Sequence, residues 1–596
     1  MSTMTPEEKA EQFIREEKQF HLGFLITEQS HPRTRGLSTV LAQNTAQGLD
    51  MLYSVDEDIP PVLDKILASN QFQKLIENIY ETLSLGRTVY FSGCGATGRL
   101  SILLDAASRR YWKNLASQFP DLKAFCEPFA EQTSAVMTGG DFALIRSVES
   151  FEDFISFGYR QMKDAGITAG DMLIAISEGG ETSSVIGTVY AAADTGAKVH
   201  FLFNNPAGLL EEHIVRSREV IQDERVTVHD LTTGPMAIAG STRMQATTME
   251  LLVAGIAFET AVIRLLRKRL IPAAIDRLDL ADRSPEKTAE QFRTLLRQLR
   301  TPENLSNVAA YIDFETNIYQ NNGLVTYFAD NYLLDIFTDT TERSPTFKTP
   351  PFRPFNDTDA PASWSFVQDP LRPSREAWLN LLRHRPRCIN WKPEDYQEMG
   401  ATAAIIANPP KINEEVLYQY HIGNEKDLSR TEPESNAAVA LMVGQEIMTN
   451  QMKQNPWKVA FDQHAVDFKT TVLLMIGPHI TPGKNRFGVQ VDLPQTPLDL
   501  FGHLAVKLVL NNLSTAIMGK YGRLSSNWMA HVDASNKKLI DRSIRLVSEL
   551  TNVDYRTAAV ALFESLDEMR SWPESRRKTI SPAAWTIQRL QKKRSE

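Results

Sequence analysis

The stretch Val89-Tyr90-Phe91-Ser92-Gly93-Cys94-Gly95-Ala96-Thr97-Gly98-Arg99-Leu100 limits the choice of fold more than any other part of this chain. It reads as a short apolar strand, a glycine-rich turn and the start of a helix running through 101–107. Such a turn leaves backbone N–H groups free at a helix N-terminus, where the peptide dipoles favour negative charge. A phosphate is therefore the first ligand to consider, against a bare strand-to-helix turn. The spacing also matches G-x-G-x-x-G, but a dinucleotide site needs an acidic residue about 20 positions on, at the end of the next strand. Asp121 is the nearest, and 119–123 does not end an obvious strand.

The pattern then alternates. Residues 171–176, 198–203 and 225–231 read as strands, separated by helical stretches at 99–116, 142–165, 183–195 and 207–214. Alternation of this kind predicts a parallel sheet covered on both faces, with ligands beyond the carboxyl ends of the strands. A second loop, Ser177-Glu178-Gly179-Gly180-Glu181-Thr182-Ser183-Ser184, falls at such an end. Two loops rich in N–H and O–H donors suit one phosphate; the plainer alternative is that Ser and Thr only cap the helix starting near Ser183.

Composition narrows the class. The 596 residues suffice for several domains, and 42% hydrophobic with 23% charged residues is ordinary for a soluble globular protein. A formal net charge of -9 argues against non-specific nucleic-acid binding. No 18-residue apolar run is evident, and residues 1–18 are charged rather than signal-like, so a cytoplasmic setting is expected. The three cysteines (Cys94, Cys126 and Cys388) have neither zinc spacing nor an even count, and no metal or cofactor is expected.

Elsewhere, 5–20 reads as an exposed amphipathic helix, 37–53 and 60–84 as helical, and 243–269 as a long apolar helix. The charged run 276–300 looks like a domain boundary. A second alternating region follows, with strands at 324–328 and 471–476, but Ala329-Asp330-Asn331-Tyr332 stands where a glycine loop would be. Residues 344–375 are Pro-, Asp- and Ser-rich and read as long loops. Stretches 500–520 and 533–567 read as helical, and 568–596 as a solvated basic tail.

These motifs resemble the sugar isomerase (SIS) family, and within it the group of N-acetylmuramic acid 6-phosphate etherases and glucokinase regulatory protein. Thr27-Glu28 with Pro32 and Thr34 resembles the group's N-terminal signature. Gly95-Ala96-Thr97-Gly98-Arg99 resembles its G-T-S-G-R loop, and Asn205-Pro206 follows the third strand as expected. Gly234-Pro235 with Gly240-Ser241-Thr242-Arg243-Met244 resembles its G-P…G-S-[ST]-R-M motif, the most specific match. Lys507, Asn511, Ser514 and Thr515 resemble its K-x-x-x-N-x-x-S-T segment, and Asn536 lies in its A-[ST]-N-x-K-L segment.

The resemblance implies an α/β fold with two doubly wound parallel-sheet SIS domains in tandem, a pseudo-dimer with a C-terminal helical region. The implied division is an N-terminal helical segment (1–55), a first domain bearing the loops (56–285), a degenerate second domain (286–520) and a C-terminal helical cap (521–596). It implies one composite site for a hexose or amino-sugar 6-phosphate, with Gly95, Ala96, Thr97, Ser177, Glu178, Gly179, Thr182, Ser183, Ser241 and Lys507 as ligand-binding residues. Family enzymes use two glutamates. Asp105-Ala106-Ala107-Ser108 carries serine where the first is expected, but Asp339-Thr340-Thr341-Glu342 restores it at Glu342; the second corresponds to Glu152. Two functions follow: a sugar-phosphate sensor that regulates a sugar kinase, or an etherase releasing D-lactate through Glu152 and Glu342. Glu178 and Glu181 place negative charge in the second loop, and Gln245 replaces the usual basic residue after Arg243-Met244.

Overall fold

The computed structural model describes residues 4–595 apart from 149–150, 279–282, 451, 453, 479, 533, 535–536, 574–575 and 578–579. Asn536 thus lies outside the described residues. Two five-stranded sheets carry the architecture. The first comprises β1 (Val89–Gly93), β2 (Thr133–Met137), β3 (Met172–Ile176), β4 (Lys198–Phe203) and β5 (Val226–Asp230), in the order β2-β1-β3-β4-β5. The second comprises β6 (Leu324–Phe328), β7 (Ser365–Gln368), β8 (Asn436–Val443), β9 (Thr470–Gly477) and β10 (Arg486–Gln490), in the order β7-β6-β8-β9-β10. The two orders are the same, and every pairing within the two sheets is parallel. The tandem α/β architecture is therefore a structural repeat.

Four of these strands (β2, β7, β8 and β10) have no counterpart in the sequence reading. The expected 142–165 helix is instead two 3-10 turns, Asp141–Leu144 and Phe151–Asp153, followed by a helix over Ile155–Asp164. Gly139 and Gly140, both at positive φ, turn the chain out of β2 and hold 141–144 off the helical path. The 5–20 helix is not exposed on its apolar side. Ala10 and Phe13 of Pro6–Glu16 are buried against Ile544, Val547, Leu562 and Ala583 of the C-terminal helices. Nor is the tail simply solvated, since Pro582–Ser595 is helical and Arg589 pairs with Glu564 at 3.1 Å.

One contiguous core joins the halves. The helices Gln245–Arg269 and Leu500–Lys520 pack against each other, as do Gly95–Gln118 and Leu333–Phe347. By length and composition Leu500–Lys520 is apolar enough to cross a membrane, which the search for uninterrupted apolar runs did not register, but 94% of that apolar window is buried inside the protein. Register fixes the site's position. Gly93 stands opposite both Met137 and Ile176, so the loops after β1, β2 and β3 leave one sheet edge together.

Glu28 ties the chain's two ends to this frame. It is buried, with Arg542 Nη2 donating to Oε1 at 2.6 Å and Arg545 Nη2 to Oε2 at 2.9 Å. The neighbouring Thr27 carbonyl accepts from Gly240 N–H at 3.1 Å, which anchors the Gly240-Ser241-Thr242-Arg243-Met244 segment. Burial raises the Glu28 pKa, but the guanidiniums of Arg542 and Arg545 more than offset it and hold the carboxyl well below its ordinary range. The pair thus supports folding above the ordinary glutamate range and is lost only as pH falls far below it. Glu28→Gln takes the shared carboxylate from two part-buried guanidiniums, of which Arg545 keeps Asp541, and is expected to cost about 2 kcal/mol. Limited proteolysis should then cut first near the C-terminal helices; an unchanged pattern and thermal midpoint would contradict this role.

Candidate functional site

The first loop is built by close approach. A Cβ at Gly98 would lie 2.6 Å from Met137 Cγ, and one at Gly93 within 2.5 Å of the Thr97 carbonyl. Gly95 has φ +57°, a left-handed conformation that glycine adopts without strain. Helix Gly95–Gln118 therefore starts hard against the strand ends, with its N-terminus at the sheet edge. The Thr97 hydroxyl is spent inside the loop: it accepts from Cys94 N–H at 3.1 Å and donates to Cys94 O at 2.9 Å.

In the second loop, Ser177 Oγ donates to Thr182 Oγ1 at 3.1 Å, and Thr182 makes no side-chain cap to the following helix. Gly179 O accepts from Asn205 Nδ2 at 3.1 Å. Glu181 is turned away from any ligand into a charge cluster, receiving Lys538 Nζ at 2.6 Å and Arg216 Nη2 at 3.1 Å. Burial raises its pKa, but these two cations overcome the penalty and hold it at about 2. Glu178 remains as an acid in this loop. Burial is the main cause of its rise to about 7, aided by the charges of Glu342 and Glu181.

Glu342 comes from the other half, on the helix Leu333–Phe347, and meets Arg99 of the first loop's helix in a short ion pair. Arg99 is fully buried and donates a second bond, from Nη2 to Ala143 O at 3.0 Å. Thr341 Oγ1 donates to the adjacent Leu144 O at 2.9 Å, so the turn at 141–144 locks Glu342's helix in register. Ala96, Arg99, Arg243, Asp339, Glu342 and Lys507 line one narrow cleft. The expected first-loop and second-half residues therefore lie together. Glu152 is not among the residues lining this cleft; it lies against the start of the first loop, where Cys94 Sγ donates to its Oε2 at 3.5 Å. Burial, with Glu181 and Asp153 nearby, raises its pKa, against the charge of Lys538.

Two expected ligands are placed differently. Ser241 is buried, and its N–H donates to Ile238 O at 2.9 Å, within the bend that carries Arg243. Lys507 spends all three donors on the protein: Arg243 O at 3.0 Å, Met244 O at 3.1 Å and Thr248 Oγ1 at 2.8 Å. Burial lowers its pKa to about 7, so it braces the motif more than it presents a positive charge. Gln245 is likewise structural, donating to Asp56 Oδ1 at 2.8 Å and accepting from Ala237 N–H at 2.9 Å. The sequence reading passed over Lys538, the part-buried cation that pairs with Glu181 near Glu152, although it is the lysine of the segment that contains Asn536. It did not foresee that Arg99 pairs with Glu342, and it passed over Glu250; no local spacing marks either.

The second half has no open counterpart of the phosphate loop. Its donors are already occupied: Asn331 N–H and Nδ2 both donate to Glu446 Oε1, at 3.0 and 2.8 Å, and Val443 N–H donates to Oε2 at 3.3 Å. Glu446 is buried, and burial pushes its pKa up to about 7.

Residues 70–193 match the glucokinase regulatory protein N-terminal SIS domain. An N-acetylmuramic acid 6-phosphate etherase of Picosynechococcus sp. is 30% identical over 266 residues, covering 44% of this chain and 78% of that protein. One of Synechococcus sp. is 31% identical over 269 residues, covering 44% and 74%. The chain belongs to the SIS family, in the group of these etherases and glucokinase regulatory protein. Among solved structures, the C-terminal domain of a glucosamine-fructose-6-phosphate aminotransferase from Francisella tularensis aligns over 79% of this chain and 94% of its own, with 10% identity and a TM-score of 0.42.

Arg99→Met would leave Glu342 beside Glu178 with its counter-charge gone. Breaking a buried pair in this way is expected to cost about 3 kcal/mol or more. Calorimetric unfolding should show a lower midpoint; an unchanged midpoint would mean that the pair does not hold the halves together.

Proposed function

We propose that this SIS protein binds an amino-sugar 6-phosphate at one composite site and cleaves the lactyl ether of N-acetylmuramic acid 6-phosphate. The observation that carries this reading is Glu342, delivered from the second half to the first half's loop by Arg99. Glu152 lies against Cys94 at the start of that loop, so this reading has two carboxyl groups from distant parts of the chain serving one ligand. The names of the etherase relatives support the same chemistry.

The roles follow from the surroundings. Glu342, paired with Arg99, suits the general base that removes a carbon-bound proton. Glu152, whose burial favours its protonated form, suits the acid that protonates the departing lactyl oxygen. Water then adds to the unsaturated sugar, so ether plus water gives sugar phosphate plus lactate, with no change in redox state. The loop N–H groups and the helix N-terminus hold the phosphate, with Lys538, paired to Glu181, as a part-buried positive charge nearby. Domains at 56–285 and 286–520, in a cytoplasmic protein, fit this reading.

A second reading has its own observation. Arg99 already neutralises Glu342 and Lys507's donors are all used, an arrangement that suits binding without turnover. In that case the protein is a sugar-phosphate sensor, with a sugar kinase as its partner.

Purified protein is expected to release lactate from N-acetylmuramic acid 6-phosphate. Glu342→Gln and Glu152→Gln should each lower the rate by about 10²–10⁴-fold while retaining a native circular dichroism spectrum. Wild type that binds the sugar phosphate but yields no lactate would sink the etherase reading and leave the sensor, to be tested by ligand-dependent capture of a hexokinase-type enzyme.

A further inference from the structure

The Pro-, Asp- and Ser-rich stretch at 344–375 has no role in the chemistry proposed above, yet it is firmly placed. Phe352 is buried and meets Phe337 and Phe366 edge-on, with ring centroids 5.2 and 5.0 Å away. Phe355 N–H donates to Gln419 O at 2.8 Å, and its ring stacks on His421 with centroids 4.3 Å apart. Arg353, Phe355, Ser363, His421, Asp427 and Arg430 line a narrow pocket between this stretch and the segment before β8. Arg430 reaches Val325 O and Ser363 O, which sets the pocket beside the starts of β6 and β7. That is the end of the sheet opposite to the one where open α/β sheets bind their ligands. The pocket shares no lining residue with the cleft that holds Glu342.

Arg430 is the buried member of this set. Its Nε donates to Thr326 Oγ1 at 2.7 Å, Nη1 to Ser363 O at 2.9 Å and Nη2 to Val325 O at 2.8 Å. All three acceptors are uncharged, so the hydrogen bonds are met while the charge is not. Arg353 repeats the pattern, with Nη1 donating to Ala360 O and Nη2 to Ser429 Oγ at 2.9 Å. Among the described residues neither arginine forms an ion pair. Asp427 is the one carboxylate in the lining, and its Oδ1 accepts from the Ser429 N–H and Oγ–H at 3.0 and 2.6 Å. Ser429 thus stands between Asp427 and Arg353. The Nδ1 of His421 is buried and has no hydrogen-bond partner among the described residues.

A guanidinium in a protein keeps its charge, and enclosing that charge without a counter-anion costs free energy. A peg that only pins the loop to the sheet needs the hydrogen bonds of Arg430 and not its charge, which a neutral side chain would supply more cheaply. Two guanidiniums and one carboxylate line the pocket, which leaves it positive. Arginine forks match the paired oxygens of phosphate and carboxylate groups. Two forks and an imidazole offer more contacts than the two oxygens of a carboxylate can use, whereas a phosphate has oxygens for all three. We propose that this pocket binds a phosphate group, with Arg353 and Arg430 supplying the charge and His421 a further polar contact. No covalent bond changes on binding.

Full-length protein carrying carbon-13 in its histidine rings reads the pocket directly, with the His421 signal assigned by its loss in His421→Gln. At fixed pH and ionic strength, inorganic phosphate should move that signal along a saturable curve with a midpoint on the order of 1 mM or below. Arg353→Gln should weaken binding by about tenfold or more. Arg353→Lys, which keeps the charge and loses the fork, should fall between the two. A residue that only holds the loop in place would not rank the three proteins in that order. Arg353 is part-buried, so its variants are expected to fold, which a native circular dichroism spectrum checks. No saturable movement of the His421 signal, the same movement with sodium chloride, or equal affinities in wild type and Arg353→Gln would overturn the site and leave an adventitious ion only. Acetate saturating at a lower concentration than phosphate would overturn the choice of a phosphate group. None of these readouts involves lactate release, so the result is independent of the etherase reading.

Discussion

A guanidinium shut away from water must find its acceptors in protein, and Arg99 finds them on both sides of the molecule. One N–H meets Glu342 of the second half and another meets the Ala143 carbonyl of the first. Because Arg99 lies one turn beyond the glycine loop, the N-terminal end of its helix, the 141–144 turn and the second half's carboxylate are held in one geometry. Burying such a pair costs desolvation that only good partners offset, so its gain is in specificity of arrangement more than in stability. Here the arrangement is the site itself.

The repeat shows what was kept and what diverged. Both halves carry a buried Asp and Arg four residues apart on corresponding helices: Asp105 with Arg109 at 2.8 Å, and Asp339 with Arg343 at 2.9 Å. Each Arg reaches a further acid, Glu131 in one half and Glu315 in the other. Both pairs are buried, and each Asp also meets an arginine of the other half, Arg387 for Asp105 and Arg243 for Asp339. The position just before each Arg differs, Ser108 in one helix and Glu342 in the other, and Glu342 meets Arg99 of the opposite half.

Much of this was legible in the sequence, and the gaps have physical reasons. The strand at 89–93 is a buried apolar run closed by a glycine turn, and the alternation to 231 gives the parallel sheet. β2 and β7 are too short and too mixed in composition to stand out, whereas β8, Asn436–Val443, is an apolar run that the reading passed over. At the site, residue types and motif spacing brought forward the two loops and Glu342. They could not show that Lys507 and Ser241 brace the Arg243 bend, or that Lys538 neutralises Glu181 across 357 positions. Pairings of that kind are set by the closed fold, and nothing in local periodicity encodes them.

The Glu446 carboxylate in the second half has a wider meaning. The Asn331 and Val443 N–H groups, at the strand ends of the second half, close on a carboxyl tethered by the peptide chain. A tethered ion cannot leave, so its occupancy does not respond to concentration and carries no information about metabolism. At the strand ends of the second half this carboxyl is therefore a fixed strut, part of the fold and not an exchangeable occupant.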